Sequence, residues 1–490
     1  MAEVASLEKV DAGRSGPADS HTRKLVSYIV DTRYEAIDGN ALQAALRPIV
    51  DTIGVILAGL GSDAGAGMIA YARQQSPVGA GSGAAGAWVP IPGVAVSAEV
   101  AACVNGTLAH SLDYDDTVLG AGHPSGVVLP ALLGALDPAL PARGGVPLSG
   151  RELLEAYAIG FDVHVKMARA LGLKHYKHGW HTTSTAGAFA ATAALAHARR
   201  LPHQTVAVAL GMTASMISGI QRNFGTCTKP LHSGLAARAG VMACDLAAVG
   251  FSATDDVFDG KRSVLEMYGL GEADPHQFEL LGAPHALIDP GVALKKYSAC
   301  FTTHRAIEAA MRLCVEHDIR PADVESVRCF TPIGALMYLV KRAPRTALEG
   351  KFSVEYLIAC AIVDRAVGFE SFTDEAVRRP AIVELLPRIV ATEEARCRPE
   401  DPEGLRSSPA TGGFIEVHIK TRAGAEFVKR VDAPEGAVEH PMAWDSIGEK
   451  FVDCARYGGI RRDKAQAAFT ALRDLDKVPD VHAVLRSLTS

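Results

Sequence analysis

Three carboxylates lie close together in the segment Leu112-Asp-Tyr-Asp-Asp-Thr117, which is followed by His123-Pro-Ser125. These carboxylates repel one another and cannot all be buried without partners. The imidazole of His123 can give or take a proton near neutral pH. Two interpretations follow: a polar loop that caps a helix, or a site that moves protons. A calcium loop of the EF-hand type is excluded, because the position where that loop needs a bidentate Glu is a proline here.

A group of histidines, His175, His178 and His181, occurs at spacings of three residues. On one helical face such a spacing suits a zinc site, but Gly179 interrupts the helical pattern and no Glu or Cys follows at a ligand spacing. His181 precedes Thr182–Thr185, which is typical of a helix start. The free backbone N–H groups of a helix start can bind an anion. An anion-binding position for His181 is therefore favoured over a zinc site.

Two lysines and a tyrosine are further candidates. Lys229 lies in Asn223-Phe-Gly-Thr-Cys-Thr-Lys-Pro-Leu-His-Ser-Gly234, and it is either a surface charge or the partner of a carboxylate in a cleft. Lys295 begins Lys-Lys-Tyr-Ser-Ala-Cys-Phe-Thr-Thr-His304 at a predicted domain boundary, and ligand sites concentrate in clefts between domains. Tyr356 follows Phe-Ser-Val-Glu at a predicted helix start, where an apolar stripe alone would place it in the core.

The sequence does not support nucleotide binding through a common motif, nor α/β-hydrolase chemistry. Gly59-Leu-Gly61 resembles part of a dinucleotide fingerprint, but the preceding run Ile53–Leu60 has a helical pattern and no βαβ unit follows. No Walker loop and no GxSxG elbow occurs in the sequence.

The secondary-structure elements that position these candidate site residues are predicted to be helices over most of the chain. Ser149 and Glu152 form a capping box that predicts a helix over Leu153–Leu171. Thr185–Leu201 and Val206–Ile220 are rich in small and apolar residues, which is typical of buried helices.

Strand patterns occur only after about residue 291. Val324–Thr331 and Phe414–Thr421 are predicted strands, and Glu426–Val431 completes a hairpin with the second of them. The predicted fold is therefore mainly α, a large all-helical domain with an inserted smaller α+β lid domain. The predicted units are a disordered N-terminal tail at 1–20, a first helical part at 21–290, the α+β lid domain at 291–433 and a C-terminal helical part at 434–490.

Composition narrows the class of protein. The chain of 490 residues has a formal net charge of −6 and 48% hydrophobic residues, enough for a large core. The mildly acidic balance gives no support to a nucleic-acid-binding surface. Scattered cysteines without a CxxC pair are typical of a reducing compartment. We recognise neither a targeting peptide nor an apolar run long enough to span a membrane. We therefore expect a cytoplasmic protein with no nucleic-acid or membrane partner.

Taken together, these segments resemble the MmgE/PrpD family over about residues 25–475. The motifs that carry the resemblance are Leu-Asp-Tyr-Asp-Asp-Thr with His-Pro-Ser, Gly-Trp-His181, Asn-Phe-Gly-Thr-x-Thr-Lys-Pro-Leu-His-x-Gly, Lys-x-Tyr-x-x-Cys-x-x-x-His304 and Phe-Ser-x-x-Tyr356. The resemblance implies a helical domain with a smaller α+β lid, a homodimer, and a site between the two domains that uses no cofactor and no metal.

The resemblance also implies which residues form the site. Those that match are Asp113, Thr117, His123, His181, Lys229, Lys295 and Tyr356. We expect Thr117 to supply a neutral hydrogen bond, and Tyr356 to donate to a substrate carboxylate or to assist proton transfer.

The family's reactions imply a lyase that acts on a small di- or tricarboxylate, most like the decarboxylation of cis-aconitate to itaconate. Three alternatives stay open. They are dehydration of 2-methylcitrate or a related alkylcitrate, epimerisation of an iminodisuccinate, and a non-enzymatic protein that binds a carboxylate or a partner protein.

These reactions develop negative charge on a carbon atom beside a carboxylate, so the site must neutralise carboxylates and move a proton. Lys229 and Lys295 suit the first task as charged ammonium groups. His123 and His181 suit the second if their pKa values lie near the reference value. Asp113 is expected to orient His123 and to hold it protonated.

Overall fold

The computed structural model of the protein describes residues 20–76, 86–118, 120–140, 144–339, 342–398 and 412–489. The predicted tail at 1–20 lies outside the described residues apart from Ser20. Ser20 is the N-cap of the first helix, where its hydroxyl accepts a hydrogen bond from the amide of Arg23.

Helices dominate the chain before residue 290. These helices are α1 His21–Asp31, α2 Gly39–Gly59, α3 Asp63–Gln75, α4 Ala98–His110, α5 Ser125–Ala135, α6 Gly150–Leu171, α7 Leu173–Lys177, α8 Thr182–Ala198, α9 His203–Ala214, α10 Thr228–Ala248 and α11 Val264–Gly269. The predicted capping box at the start of α6 is confirmed: Ser149 accepts from the amide of Glu152, whose carboxylate accepts from the amide of Ser149.

Two predicted helix boundaries differ from the structure. α8 begins three positions earlier than predicted, directly after His181, and ends at Ala198. α9 ends at Ala214 instead of Ile220. The backbone of Gly219 adopts φ +102°, which no α-helix contains, so the helix cannot continue to Ile220.

The later part of the chain combines helices with a small sheet. The helices are α12 His304–Glu316, α13 Ala347–Gly350, α14 Val354–Asp364, α15 Asp374–Val377, α16 Pro380–Leu385, α17 Trp444–Tyr457, α18 Arg462–Arg473 and α19 Val481–Thr489. The strands are β1 Val324–Thr331, β2 Ile389–Glu393, β3 Ile415–Thr421 and β4 Glu426–Val431. They form one sheet in the order β2-β1-β3-β4, in which only β1 and β2 run parallel.

The sheet agrees with the strand predictions in three of its four strands. β1 and the β3–β4 hairpin lie where the alternating pattern placed them, and Ile415, Val417 and Ile419 form the buried face of β3. The strand β2 was missed, because its five residues are too short to show the alternation clearly. The mainly α fold with a small mixed sheet in the C-terminal region is thus confirmed.

Buried side chains form two large clusters. The first contains residues from 25–294 together with residues from 442–488, and the second lies within 297–431. In the first cluster α17 packs against α2, where Phe451 lies against Gly54. The boundaries of the predicted lid domain stay a prediction.

Among the described helices, α2 is long and apolar enough to span a membrane by length and composition, so the expectation that the sequence contains no such run is wrong. Most of its apolar window, 83%, is buried inside the protein. Its Asp51 forms an ion pair of 2.7 Å with Lys450 of α17 in that interior. Burial of this kind is typical of the core helix of a globular protein.

Candidate active site

Asp113 lies at the centre of a buried group of charged side chains. Its Oδ1 accepts a hydrogen bond of 2.6 Å from Nζ of Lys229, and its Oδ2 accepts one of 2.9 Å from Nζ of Lys295. Nζ of Lys295 also donates to the backbone carbonyl of Asp113, at 2.8 Å. Burial by itself raises the pKa of Asp113, but the two lysines outweigh burial and hold this pKa well below its usual range.

The backbone at Asp113 is unusual, with φ +53° in the left-handed region that favours glycine. Asp tolerates this region better than most side chains. The turn follows directly on the end of α4 and presents the carboxylate to both lysines. Backbone strain of this kind concentrates at functional sites.

Close packing of α4 and α10 brings the two halves of the group together. A Cβ atom on Gly234 would lie 2.2 Å from the carbonyl oxygen of Cys103, so a side chain at Gly234 would force the helices apart. Lys229 in the first turn of α10 therefore reaches the loop after α4. Thr117 in that loop pairs through its backbone with Ala293, which ties the loop to the segment that carries Lys295.

Asp115 faces two histidines. Its Oδ1 and Oδ2 lie 3.1 and 2.9 Å from Nδ1 of His110, the last residue of α4. Its Oδ2 lies 3.5 Å from Nδ1 of His123, which makes a shorter contact of 2.6 Å with the backbone carbonyl of Asp116. Burial raises the pKa of Asp115, but the neighbouring His110 and His123 outweigh burial and lower this pKa.

Asp116 has a third set of partners. The hydroxyl and the amide of Ser125, at the start of α5, donate to its two carboxylate oxygens at 2.6 and 3.2 Å. The hydroxyl of Tyr157 lies 2.6 Å from the same Ser125 hydroxyl. Burial and the negative charge of Asp115 raise the pKa of Asp116 well above its usual range. All three carboxylates of the loop are thus buried and each has partners of its own, as expected for carboxylates that repel one another.

The predicted site residue His181 contacts a second histidine. Its Nδ1 lies 3.1 Å from Nδ1 of His232, so one of these nitrogens donates and the other accepts. Phe224 packs edge-on against His181, and Nζ of Lys229 lies 5.5 Å from the centre of the Phe224 ring. The two histidines thus connect the start of α8 with the first turns of α10.

The disfavoured zinc interpretation gains no support, because the three histidines have separate surroundings. His175 is buried, with Nε2 at 2.8 Å from the hydroxyl of Thr185 and Nδ1 at 3.0 Å from the carbonyl of Tyr268. His178 is exposed. Of the three histidines, only His181 therefore belongs to the site.

Burial changes the protonation of the site histidines. It lowers the pKa of His123 to about 3, with a further contribution from the neighbouring His110. Burial, and next the neighbouring His110, lower the pKa of His181 well below its usual range. The expectation of values near the reference is therefore wrong for the protein without substrate: at neutral pH both imidazoles are neutral.

The role expected for Asp113 also needs correction. Asp113 binds the lysines, and the carboxylate beside His123 is that of Asp115. Lys229 is not a surface charge, because only 9% of the residue is exposed. Burial lowers the pKa of Lys295, but the carboxylates of Asp113 and then Asp115 outweigh burial and raise it, so Lys295 keeps its charge.

The structure places Tyr356 in the second buried cluster. Its hydroxyl donates to the backbone carbonyl of Ser371, and the residue is fully buried. Among the described residues we find no hydrogen bond from Tyr356 to Asp113, Lys229 or either predicted histidine. Its part in the site stays a prediction.

Sequence reasoning missed several residues of this site. Lys351 is buried, and its Nζ donates to the carbonyl of Leu112 and to both the carbonyl and the hydroxyl of Ser298, at 2.6–2.9 Å. Burial, with the nearby charges of Lys295 and Lys229, lowers the pKa of Lys351 to about 7. The feature of the sequence that could have identified Lys351 is its position directly before the Phe-Ser-x-x-Tyr motif.

His110 and His232 were also missed. His110 ends an apolar helix just before the acidic motif, and His232 lies three positions after Lys229 on one face of α10. Both spacings are visible in the sequence, but a buried histidine in a helix is more often structural than functional.

One group in the described part of the chain, His110, Asp115 and His123, offers ligand atoms within 4.8 Å of one another. Nδ1 of His123 faces a carbonyl oxygen and Nδ1 of His110 faces an ionised carboxylate. Both Nδ1 atoms must therefore carry hydrogen, so in the neutral rings only the Nε2 atoms could bind a metal.

The fold and this site agree with one family. Residues 23–276 match the model of the MmgE/PrpD N-terminal domain, and residues 297–475 match that of the MmgE/PrpD C-terminal domain. The chain therefore belongs to the MmgE/PrpD family and is an enzyme of that type.

Individual relatives span most of the chain. Cis-aconitate decarboxylase of Mus musculus is 26% identical over 477 residues, which cover 96% of this chain and 93% of the relative. The Homo sapiens protein of the same name is 27% identical over 438 residues, covering 88% of this chain and 87% of the relative. The Aspergillus terreus one is 23% identical over 407 residues, covering 79% and 80%.

Proposed function

We propose that the protein is a cofactor-independent lyase of a small di- or tricarboxylate, most like one that decarboxylates cis-aconitate to itaconate. The observation that carries the proposal is the buried pair of Lys229 and Lys295 on one carboxylate, beside the imidazoles of His123 and His181. Relatives from mouse, human and a fungus that bear the name cis-aconitate decarboxylase support the same reaction.

The lysines provide the site for substrate carboxylates. Lys229 and Lys295 share the single carboxylate of Asp113, so this trio keeps one positive charge that a substrate carboxylate can neutralise. A lysine is a point charge with rotatable donors, and it can bind a substrate oxygen while it keeps its contact with Asp113. The remaining substrate carboxylates add negative charge close to the neutral histidines.

That added charge prepares the site for proton transfer. Negative charge beside an imidazole favours its protonated form, so substrate binding raises the proton affinity of His123 and His181. Each takes up a proton only when there is a substrate to receive it. We propose that Asp115 stabilises the protonated His123, because its carboxylate lies 3.5 Å from Nδ1.

The chemical step is a decarboxylation with a shift of the double bond. The bond from the methylene carbon to its carboxylate breaks, CO2 leaves, and the electron pair enters the allylic system. An imidazolium then gives its proton to the far carbon and returns to neutral imidazole. The rings of Phe224 and Phe352 lie 5.5 and 5.4 Å from Nζ of Lys229 and supply a less polar region, from which neutral CO2 leaves easily.

Two predicted residues complete the proposal. Thr117 lies in the loop between Asp116 and His123, where its hydroxyl can give a neutral hydrogen bond to the substrate. Tyr356 would have to exchange its hydrogen bond with Ser371 for one with a substrate carboxylate.

The test is a comparison of three substrates with one preparation of purified protein, dialysed against EDTA. Cis-aconitate, 2-methylcitrate and iminodisuccinate are incubated separately, and CO2, new double bonds and optical rotation are followed. Itaconate and CO2 from cis-aconitate alone are expected. Dehydration of 2-methylcitrate or epimerisation of iminodisuccinate without CO2 release would contradict the proposal, and so would activity that returns only with added metal.

We also propose that the protein is a cytoplasmic homodimer, as the family resemblance implies. Light scattering during gel filtration measures the mass directly, and a single species of twice 51.5 kDa is expected. A monomer would contradict this part of the proposal and leave the chemistry untouched.

A further inference from the structure

The two ring nitrogens of His110 have different surroundings in the described part of the chain. Its Nδ1 lies 2.9 Å from Oδ2 of Asp115, whereas among the described residues its Nε2 has no hydrogen-bond partner. The residue is buried, with 1% of its surface exposed. A buried polar atom without a partner costs free energy, so its persistence calls for an explanation.

The hydrogen bond to Asp115 sets the tautomer of His110. The carboxylate of Asp115 only accepts hydrogen bonds when it is ionised, so Nδ1 of His110 carries the hydrogen. In the neutral ring Nε2 then bears the lone pair that can take a proton. This pairing of a carboxylate with one imidazole nitrogen orients the ring and stabilises its protonated form.

The ring of His110 lies close to both histidines already assigned to the site. Its centroid is 4.5 Å from that of His123 and 5.8 Å from that of His181. The titratable groups around it come from the loop after α4, from α8 and from α10. They are Asp113, Asp115, His123, His181 and His232.

We propose that His110 is a further proton-transfer residue of this site, with its Nε2 facing the bound carboxylate substrate and Asp115 as its orienting partner. The inference rests on the proposed function, since it needs an anionic substrate in the same site. When His110 acts as the acid, its Nε2–H bond breaks and a C–H bond forms with the electron pair of the carbanion. The neutral imidazole remains, and the carboxylate of Asp115 is unchanged.

Substitution of His110 with a matched control tests the proposal. His110→Asn keeps a donor near Asp115 and His110→Gln keeps one near the position of Nε2, but neither side chain transfers a proton. His482→Asn is the control. His482, far along the chain in α19, is also fully buried, and among the described residues one of its ring nitrogens has a hydrogen-bond partner and the other has none. We expect kcat to fall by at least about 100-fold in both His110 variants. His482→Asn should retain kcat within about 3-fold.

Folded His110 variants with kcat within about 3-fold of the wild-type value would overturn the proposal. If both variants fail to fold, Asp115→Asn gives the second measurement. Because Asp115 contacts both His110 and His123, it is substituted in the His123→Asn background, where only its contact with His110 remains. A further fall in kcat of about 10-fold or more is expected, and an unchanged kcat would overturn the assignment.

An assay of the wild-type protein distinguishes failure of the proposed function from failure of this inference. No turnover of cis-aconitate refutes the function, and His110 is then tested by binding alone. Calorimetry with tricarballylate, an unreactive tricarboxylate, in buffers of different ionisation enthalpy measures the protons taken up on binding. We expect smaller uptake in His110→Asn than in wild type and in His482→Asn. Equal uptake in all three proteins, or no binding of tricarballylate by the wild type, would overturn the role of His110.

Discussion

The carboxylate of Asp113 holds Lys229 at 2.6 Å through one oxygen and Lys295 at 2.9 Å through the other. These lysines come from parts of the chain that lie 116 and 182 positions beyond Asp113. One carboxylate thus holds two cations that come from different segments of the chain. The arrangement keeps a net positive charge in an interior that otherwise disfavours charge.

Asp113→Asn removes the shared anion and keeps a side chain that tolerates left-handed backbone. Without the carboxylate the two ammonium groups repel each other and lose their fixed positions. We expect kcat/KM to fall by about 100-fold, mainly through kcat, because positioning in the transition state is lost. Steady-state kinetics on the folded variant give the answer. A variant with an unchanged kcat would show that the lysines do not need Asp113.

Loss of a charged or proton-transferring side chain of the site should lower kcat/KM much more than loss of a neighbouring, partly exposed lysine. Lys229→Ala and His123→Ala are each expected to lower kcat/KM by at least about 100-fold. Lys296→Ala is the matched control, because Lys296 follows Lys295 directly but pairs with Glu435 and is 38% exposed along its side chain. Full activity in either of the first two variants would remove that residue from the mechanism. Equal loss in all three would point to a general structural effect.

Lys351 connects the loop of Asp113 with the segment of Lys295. Its Nζ donates to the carbonyl of Leu112 and to Ser298, so Lys351→Met leaves two buried carbonyls without this donor. We expect the free energy of unfolding to fall by about 1–3 kcal/mol. Urea denaturation at neutral pH measures it, with Lys261→Met, at an exposed position, as a control that should change the free energy of unfolding by less than about 0.5 kcal/mol. A Lys351→Met protein as stable as the wild type would show that these hydrogen bonds contribute no net stability.

The neutral, largely buried His123, whose side chain is 13% exposed, makes the free energy of unfolding depend on pH in a definite direction. Its native pKa of about 3 lies below the value of about 6.5 in the unfolded chain. The stability it contributes is therefore complete above pH 6.5 and is lost progressively as the pH falls toward the native pKa. Between pH 7.5 and 5.5 the loss of unfolding free energy for one such histidine is on the order of 1 kcal/mol.

The difference in unfolding free energy between wild type and His123→Asn isolates this effect. Urea denaturation at both pH values should show the wild type losing on the order of 1 kcal/mol more than the variant. His276→Asn, at an exposed position, serves as control and should follow the wild type at both pH values. A pH-independent difference between wild type and His123→Asn would mean that His123 is not held neutral in the native protein.

The fold was predictable where the pattern is local. The capping box of Ser149 and Glu152 and the alternation in β1 and β3 each depend on residues a few positions apart. The end of α9 and the short strand β2 were misjudged, because a glycine with positive φ and a parallel partner strand depend on tertiary structure.

The site was predictable in its residue types and only partly in its pairings. The crowded carboxylates predicted that each would have partners, and the structure confirms this. Which carboxylate pairs with which residue was not predictable: Asp113 binds lysines that are distant in the sequence, and Asp115 contacts the histidines. The low pKa of His123 was also hidden, because it results from burial by segments far apart in the sequence. His110 stayed unnoticed because an apolar helix makes a histidine look structural.

The most direct test of the central claim is turnover of cis-aconitate in D2O followed by NMR. If a histidine of this site protonates the allylic carbanion after CO2 leaves, the itaconate carries a single deuterium, on the saturated methylene carbon, and none on the vinylic carbon. His123→Ala and Lys229→Ala proteins should produce it at least about 100-fold more slowly. Recovery of cis-aconitate unchanged, or conversion without release of CO2, would contradict the account.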